Sequence, residues 1–424
     1  MNNFLRRVKL VFKDPDLRGK ILFVLLVLAL FRLGANIPIP GIDQLRLQSF
    51  LSGNQFFGLL NIFSGGGLSN LSIMMLGVGP FITASIIMQL LTMVFPKLKE
   101  MYHEGGEAGK QKFNQYSRLL TVPLAFLQGF GLLALLERQG VLSNLTVFDR
   151  LTNIIIVVAG SVLLMWLGEL ISEYGIGNGI SLLIFAGIVA SLPSVVSQII
   201  FTFDPSQIPL YLAFLVAAVL IVAGVVVITE AERPIPVSYA KQVRGMKVYG
   251  GVSTHLPLRV NQAGVIPIIF ALSILLFPQM IANVLAGSQS AVAQFLVKFL
   301  SVFVNNLWVY GSFYFVLVFL FTYFYTAVTF DPEAISTNLQ KSGAFVPGIR
   351  PGRPTAAHIG KILNRITMVG ALFLGFIAVL PLGMQAITGM ASLAIGGTAL
   401  LIVVSVVLET IKQIESQVVM REYE

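Results

Sequence analysis

The sequence predicts an all-α membrane protein with ten transmembrane helices, and three observations support this fold class. The 424 residues are 56% hydrophobic and only 11% charged, which is far less charge than a soluble domain carries. Long stretches contain no charged residue, and each of them holds one or two spans of about 20 residues. Lys and Arg are concentrated in alternate connections between these stretches, as is typical of polytopic membrane proteins.

Ten apolar segments, bounded by charged residues, Gly and Pro, are the predicted spans. They lie near 21–37, 74–95, 119–136, 151–171, 180–203, 208–229, 261–284, 308–330, 364–383 and 392–411. The first resembles a secretory signal peptide, but Arg32 and a PIPG turn follow it in place of a small-residue cleavage site, so we expect it to be retained. The segment 287–307 is a candidate for an extra helix on the outer side.

The distribution of positive charge predicts the topology. With the N-terminus inside, the inner segments carry 22 Lys and Arg and the outer segments four, so we expect both termini in the cytoplasm. The expected organisation is a cytoplasmic segment (1–20), an N-terminal half (21–203), a C-terminal half (204–411) with long inner loops at 230–260 and 331–361, and a cytoplasmic tail (412–424). Two halves of five spans must insert in opposite orientations, which favours an inverted pseudo-symmetric pair with its site between the halves.

Residues 61–91 combine a polar half with an apolar half. Three glycines (65–67) and several Ser and Asn residues interrupt the apolar run, and a helix is expected from about Met74 to Phe95. No charged residue occurs between Leu47 and Pro96, so even the polar half is compatible with membrane depth. Irregular backbone at that depth is tolerated only inside protein or beside a water-filled cavity. The segment therefore predicts a cavity.

The residues predict no catalytic, cofactor or metal site. The chain has no cysteine, its three histidines (103, 255 and 358) are scattered, and GIGNG (175–179) has no preceding strand and is expected to be a tight turn. Any energy must then come from a partner or a gradient. The carboxylates near the predicted spans lie at span ends: Glu169, Glu173, Glu230 and Glu409. An ion that is coupled to transport would therefore find no carboxylate ligand near the bilayer midplane. A passive conduit is therefore favoured over a secondary transporter with inverted repeats. A membrane-integral scaffold or insertase without a through-pore is a third interpretation, which ion conduction by an unplugged mutant would rule out.

Six motifs between about Leu22 and Glu415 resemble the SecY family of bacterial protein-conducting channels. They are, in order, IPIPG (37–41), FSGGGLS (63–69), MWLGE with GIGNGIS (165–181), STHLPLRVNQAGVIP (253–267), KSGAFVPGIRPG (341–352) and GGTALLIVV (396–404). One such motif alone would be weak, whereas six in order are specific. The resemblance implies ten helices around a central pore in the bacterial cytoplasmic membrane. Through it, unfolded secretory polypeptides cross, and transmembrane segments leave laterally into the lipid.

The resemblance also assigns roles to residues. It implies a short plug half-helix at about 59–72, including Phe63, Ser64, Gly65, Gly66, Gly67, Leu68 and Ser69, whose glycines suit a segment that must unpack because they lower helix propensity. From composition alone, a fixed re-entrant loop is as good an interpretation. The implied pore ring is Val78, Ile82, Ile180, Ile184, Ile269 and Ile402, in which Val78 departs from an all-isoleucine ring.

A lateral gate is implied at Thr83, Gln128 and Asn261, where interhelical hydrogen bonds would suit a seam that opens; ordinary packing between helices is the alternative. Docking of the ribosome or of the ATPase SecA is implied at the inner loops through Arg350, Arg244, Lys247 and Lys241. Met246 and Lys247 occupy positions where relatives often have two adjacent arginines. The positive-inside rule alone also explains why the charges on these loops are positive. Further implied partners are the small subunits SecE and SecG, signal peptides, nascent chains, membrane lipids and, through the basic loops, ribosomal RNA. No cofactor is implied.

Overall fold

The computed structural model describes residues 14–40, 47, 61, 64–103, 105–138, 140–142, 146–201, 205, 208–239, 242–244, 247–249, 253–285, 290–388 and 391–422, most of them helical. The helices are α1 (Pro15–Gly34), α2 (Gly79–Val94), α3 (Pro96–His103), α4 (Gly106–Arg138), α5 (Val147–Tyr174), α6 (Gly179–Phe201), α7 (Ile208–Glu230), α8 (Ile266–Leu285), α9 (Ala291–Asn305), α10 (Leu307–Thr329), α11 (Pro332–Lys341), α12 (Arg353–Thr388) and α13 (Ala391–Glu422). The strands are β1 (Glu232–Tyr239), β2 (Gln242–Arg244), β3 (Lys247–Tyr249), β4 (Ser253–Arg259) and β5 (Ala344–Phe345).

Each of the ten predicted spans coincides with one of these helices, and α9 occupies the candidate extra helix. Among the described helices, α4, α5, α7, α10 and α12 contain a stretch long and apolar enough to cross a membrane. The chain bends by 115° between α2 and α3, and the pair has the composition of one broken span or of a re-entrant loop. The chain is a mostly helical membrane protein, as its composition predicts.

Short-range sequence signals set where α1 and α5 begin. The Asp14 carboxylate accepts a hydrogen bond from the Asp16 N–H at the N-terminus of α1. A capping box opens α5, because the Thr146 hydroxyl accepts from the Asp149 N–H at 3.2 Å and the Asp149 carboxylate accepts from the Thr146 N–H at 3.1 Å. These caps satisfy N–H groups that would otherwise lack a partner inside the helix.

The second span begins later than predicted. The sequence predicts a helix from about Met74, whereas α2 begins at Gly79. Gly77 has a φ of +60°, which is incompatible with a right-handed helix. Pro80 then occupies the first turn of α2, where its missing N–H costs no hydrogen bond. The boundary between the polar and apolar halves of residues 61–91 therefore lies next to Val78.

The helices pack around one large buried apolar cluster. Its side chains come from α1, α2, α5, α6, α7, α8, α10, α12 and α13. Helix α2 packs against both α4 and α8, and α6 packs against α13. A second cluster joins Leu68, Leu71 and Met75 to side chains of α4 and α5. Burial of these side chains against one another brings helices that are distant in sequence to a common interior.

The two long loops that are predicted to lie on the inner side, 230–260 and 331–361, are joined by a sheet that the sequence did not predict. Strands β1 and β4 pair antiparallel from Glu232↔Arg259 to Ser238↔Ser253. Strand β5, from the second inner loop, pairs with the end of β1 at Ser238↔Phe345. In β1, buried Ile235 and Val237 alternate with exposed residues, which is the period of a half-buried strand. The motif STHLPLR thus forms β4. The motif KSGAFVPGIRPG contains β5, through which the second loop joins the sheet of the first.

Candidate pore, plug segment and inner loops

The residues of the expected pore ring come together in the large buried cluster. Five of them are at most 5% exposed: Val78, Ile82, Ile184, Ile269 and Ile402. The sixth, Ile180, is partly buried and packs against this cluster. They lie on or next to four helices, α2, α6, α8 and α13. The cluster also contains many other apolar side chains, so the ring assignment stays a prediction.

Two pairs of these residues have the spacing of one helix face. Ile82 donates its N–H to the Val78 carbonyl at 3.1 Å, with Val78 at the N-cap of α2. Ile180 and Ile184 lie in the first turns of α6. Residues four apart share a helix face, so each pair presents two branched apolar side chains together. An apolar constriction of this kind blocks ions by dewetting.

Within the predicted plug, Asn61 is helical, whereas the described residues from Ser64 onward are not. We call Ser64–Val78 the turn segment, because these residues form successive turns with one bridge at Ser72. Gly65 and Gly66 have φ values of +65° and +84°, which a right-handed helix excludes. Phe63 and residues 59, 60 and 62 of the predicted half-helix lie outside the described residues.

The turn segment is buried in spite of its polar composition. Ser64 and Leu68 are at most 1% exposed. The Ser64 hydroxyl donates to the Asn61 carbonyl at 3.0 Å and accepts from the Leu68 N–H at 3.0 Å. Leu71 has a φ of +41°, which costs about 1–2 kcal/mol. Its fully buried side chain stabilises the fold by a comparable amount, about 1.5–3 kcal/mol.

The glycine at the start of the turn segment allows two helices to approach its backbone. A Cβ on Gly65 would lie 2.2 Å from Cζ of Phe31 in α1. A Cβ on Gly187 in α6 would lie 2.0 Å from the Cα of Gly65. Both distances are far below van der Waals contact. These glycines therefore have a steric role, which the argument from low helix propensity did not anticipate.

The IPIPG motif pairs with the turn segment. The Ile39 N–H donates to the Leu71 carbonyl, and the Ile73 N–H donates to the Ile37 carbonyl, both at 2.9 Å. These two bonds flank the bridge between Pro38 and Ser72. The connection after α1 is thereby fastened to the segment that precedes α2.

Helix α5 holds the other end of the turn segment through two small residues. The buried Ser161 hydroxyl donates to the Gly77 carbonyl at 3.0 Å. A Cβ on Gly160 would lie 1.9 Å from the Ile73 carbonyl oxygen. Sequence reasoning missed Gly160, Ser161 and Gly187. The available signal was the small residue inside an otherwise apolar helix, which often marks a close approach of backbones.

Two of the expected gate residues, Thr83 and Gln128, lie on the contacting helices α2 and α4, whereas Asn261 lies in the connection before α8. Thr83 and Asn261 are 5% and 7% exposed, and Gln128 is half-buried. The Gln128 side-chain oxygen approaches Gly79, whose carbonyl accepts the Thr83 hydroxyl hydrogen at 3.0 Å. Helix α8 packs against both α2 and α4. The gate assignment itself stays a prediction.

The hydrogen bonds of these gate residues are local rather than interhelical. Besides the bond of Thr83 within its own helix, the Asn261 amide donates to the Gly264 carbonyl at 3.3 Å. Among the described residues, the Asn261 side-chain oxygen is buried without a hydrogen-bond partner. Neither of these two bonds is interhelical, because each donor bonds to a nearby backbone carbonyl.

Arg350 lies exposed on a loop whose backbone is held in place. The Thr355 hydroxyl donates to the Arg350 carbonyl at 2.8 Å, and the Ser336 hydroxyl donates to the Gly352 carbonyl at 2.7 Å. Helices α11 and α12 thus fix the loop on both sides while the guanidinium faces outward. A fixed backbone with a solvated arginine suits recognition of an acidic or phosphate-bearing partner.

The basic residues of the first inner loop lie at a hairpin. Arg244 and Lys247 are paired positions of β2 and β3. Lys241 lies outside the described residues. The pairing places Arg244 and Lys247 opposite each other, whereas their role in docking stays a prediction.

The buried polar side chains of the described residues are uncharged. They are Ser, Thr, Asn and Gln side chains and the hydroxyl of Tyr314. Of the carboxylates expected at span ends, Glu169 forms an ion pair with Arg118 at 2.6 Å and Glu230 with Lys412 at 2.9 Å. All four side chains of these pairs are partly exposed. The described interior thus offers apolar surface and neutral hydrogen-bonding groups.

Comparison with known proteins places the chain in a family. The SecY family model matches residues 72–411. A protein translocase subunit SecY of Corynebacterium glutamicum is 44% identical over 97% of this chain and 98% of its own length. The corresponding subunit of Streptomyces galbus is 45% identical over 97% of each chain.

Solved structures show the same fold at lower identity. A SecY protein, described by a plug domain that stabilises the closed state and maintains a membrane seal, has a TM-score of 0.64 at 19% identity, over 93% of this chain and 91% of its own. The channel in a canine ribosome–channel complex from the endoplasmic reticulum has a TM-score of 0.60 at 20% identity, over the same shares of the two chains. The chain belongs to the SecY family of protein translocase subunits.

Proposed function

We propose that the chain is the channel-forming subunit of a bacterial protein translocase. It lets unfolded secretory polypeptides cross the cytoplasmic membrane and releases transmembrane segments laterally into the lipid. The chain itself catalyses no reaction, and partner motors drive the transport. Membership of the SecY family supports the translocase function.

One observation carries the assignment of the pore. Branched apolar residues from four helices share one buried cluster, and the turn segment packs directly against the same helix, α6, that contributes Ile180 and Ile184. A flexible apolar ring closes around a polypeptide of any sequence and excludes ions when empty. The turn segment seals the resting pore as the plug, and Thr83, Gln128 and Asn261 line the lateral gate.

The neutral interior favours a conduit over an ion-coupled carrier. Coupled carriers place ionisable groups near the bilayer midplane because the coupling ion needs a ligand. Among the described residues, the fully buried polar side chains are all neutral. A scaffold without a through-pore differs from this proposal in one measurable way, since removal of its plug-like segment would not open an ion path.

The excess of Lys and Arg on one side supports an orientation with both termini in the cytoplasm. The chain then divides into the halves 21–203 and 204–411, and the loops 230–260 and 331–361 face the cytoplasm. The ribosome docks there, with SecA as the alternative motor; the canine structural relative comes from a ribosome–channel complex. Arg350 is the main contact, and Arg244, Lys247 and Lys241 assist it. SecE and SecG complete the membrane complex.

Crosslinking of a translocating chain tests the pore. Photoreactive amino acids replace Ile82 and Ile184 in the reconstituted complex, and a secretory chain is stalled during transport. Both positions are expected to crosslink to the stalled chain, because both lie in the apolar constriction. The matched controls are Ile155 and Ile200, which are 65% and 67% exposed on α5 and α6. Equal crosslinking at all four positions, or none at Ile82 and Ile184, would contradict the proposed pore.

A further inference from the structure

Arg32 is a cation within a predicted span that the channel mechanism has not used. It lies in the last turn of α1, half-buried. Its Nη1 donates a hydrogen bond to the Gly65 carbonyl at 3.2 Å. An arginine at a span end often extends to the lipid headgroups, but this one is directed at the backbone of the turn segment.

Other contacts of α1 meet the turn segment at the same place. The neighbouring Phe31 is 2% exposed, and its ring occupies the space where a Cβ of Gly65 would lie. One turn further along, the Asn36 amide donates to the Arg32 carbonyl at 2.9 Å. The Asn36 side-chain oxygen accepts a hydrogen bond from the Asn70 amide at 3.1 Å. The end of α1 therefore holds the turn segment at two points, Gly65 and Asn70.

The physical setting strengthens the bond of Arg32. A hydrogen bond from a guanidinium to a carbonyl is charge-assisted, and low local polarity strengthens it further. The cation also lies near the C-terminus of α1, where the helix dipole favours positive charge. A bond of this class shifts a two-state equilibrium by roughly tenfold or more.

We propose that Arg32 is a positioning residue that holds the plug against the resting pore, and that its bond to Gly65 must break when the channel opens. This inference rests on the proposed function of the turn segment as the plug. Arg32 then acts on closure through Gly65 and not by lining the pore.

We call the hydrogen bond from Arg32 to the Gly65 carbonyl the latch. Ion conductance of the full complex in planar bilayers tests it. The variant Arg32→Gln is expected to raise the resting conductance about tenfold, as loss of a hydrogen bond to a charged group predicts. Arg32→Lys keeps a cationic donor and is expected to restore most of the seal. The matched control is Arg365→Gln, which removes an exposed arginine from a predicted span on α12. Wild-type conductance in Arg32→Gln, or an equal rise in Arg365→Gln, would overturn the latch.

A double-variant cycle separates the latch from the plug. Deletion of residues 59–72 is expected to raise the resting conductance, and Arg32→Gln added to the deletion is expected to raise it no further, because its target is gone. A further rise would show that Arg32 acts elsewhere and would refute the latch. If the deletion leaks and Arg32→Gln alone does not, only the latch fails. If the deletion does not leak, the proposed plug itself fails.

A second variant covers the case in which Arg32→Gln does not accumulate in the membrane. Asn36→Ala removes the acceptor for the Asn70 amide and leaves Arg32 in place. It is expected to raise the conductance by a smaller factor than the loss of Arg32, because the two bonds that it loses, to the Asn70 amide and to the Arg32 carbonyl, join neutral groups. No rise in Asn36→Ala would contradict the two-point attachment of the turn segment.

Discussion

Single glycines determine how closely the turn segment approaches helices α1 and α6. Gly187 lies on α6 one turn beyond Ile184, and the backbone of Gly65 occupies the space where a side chain at Gly187 would be. The same residue thus connects the turn segment to the helix that carries Ile180 and Ile184 of the predicted pore ring. Gly187 must lack a side chain, because a Cβ at this residue would displace the backbone of Gly65 rather than a flexible side chain.

Gly187→Ala is therefore expected to weaken the closed state. The added methyl group overpacks the contact and costs about 1–3 kcal/mol, so the turn segment should leave its site more often. Resting ion conductance in planar bilayers should rise, with translocation retained. Gly383→Ala in α12 is the matched control, because a Cβ there meets no described atom within 4 Å. Equal conductance in the two variants would contradict the contact.

At the scale of elements, the inner loops form one platform rather than two separate connections. Strand β1 pairs with β4 along its length and with β5 at its end. A small apolar cluster of Ile235, Leu258, Val346 and Ile359 lies between the sheet and α12. Strands β1 and β4 flank the basic hairpin in sequence, and β5 and α12 flank the loop of Arg350. Because these elements pack together, we expect a partner that binds one loop to affect the other as well.

A disulfide can test the pairing of the two loops. Ser238 and Phe345 are register partners, and directly opposed residues in an antiparallel pair have Cα atoms about 4.5–5.5 Å apart, which suits a disulfide. Because the chain has no cysteine, Ser238→Cys/Phe345→Cys should give one new crosslinked peptide on oxidation, detected by mass spectrometry. Ser238→Cys/Ser342→Cys, three residues out of register, is the control. Similar yields from both pairs would count against the sheet.

At the scale of the whole molecule, the proposed function takes its energy from a partner that docks on the platform. The docking prediction at Arg350 follows from this. Arg350→Glu is expected to reduce ribosome- or SecA-driven translocation at least about tenfold, as disruption of a charge pair at an interface costs about 2–5 kcal/mol. The unfolding midpoint should not change, since the side chain is exposed.

The matched control for Arg350 is Arg353→Glu. Arg353 is also exposed, and it begins α12, where a carboxylate interacts favourably with the helix dipole. It should therefore retain activity. Full translocation by Arg350→Glu, or equal loss in both variants, would refute a specific docking role for Arg350.

Some features of the fold could not be predicted from local sequence. Strand β1 contains Pro234 and Pro236, and proline argues against a strand unless one edge is unpaired. Its partner β5 lies about a hundred residues further along the chain. The late start of α2 depends on the positive φ of Gly77, which the residue type permits but does not require.

The sequence by itself determined the membrane class, the positions of the ten helices and the family. Hydrophobicity acts on each segment separately, and a motif is a local pattern, so both can be read along the chain. Only the tertiary structure decided that Gly65 meets Phe31 and Gly187, that Arg32 reaches the Gly65 carbonyl, and that the two inner loops share a sheet. Each of these contacts joins residues that are far apart in sequence. Each also depends on the distance between two backbones, and the chemistry of the side chains alone does not specify that distance.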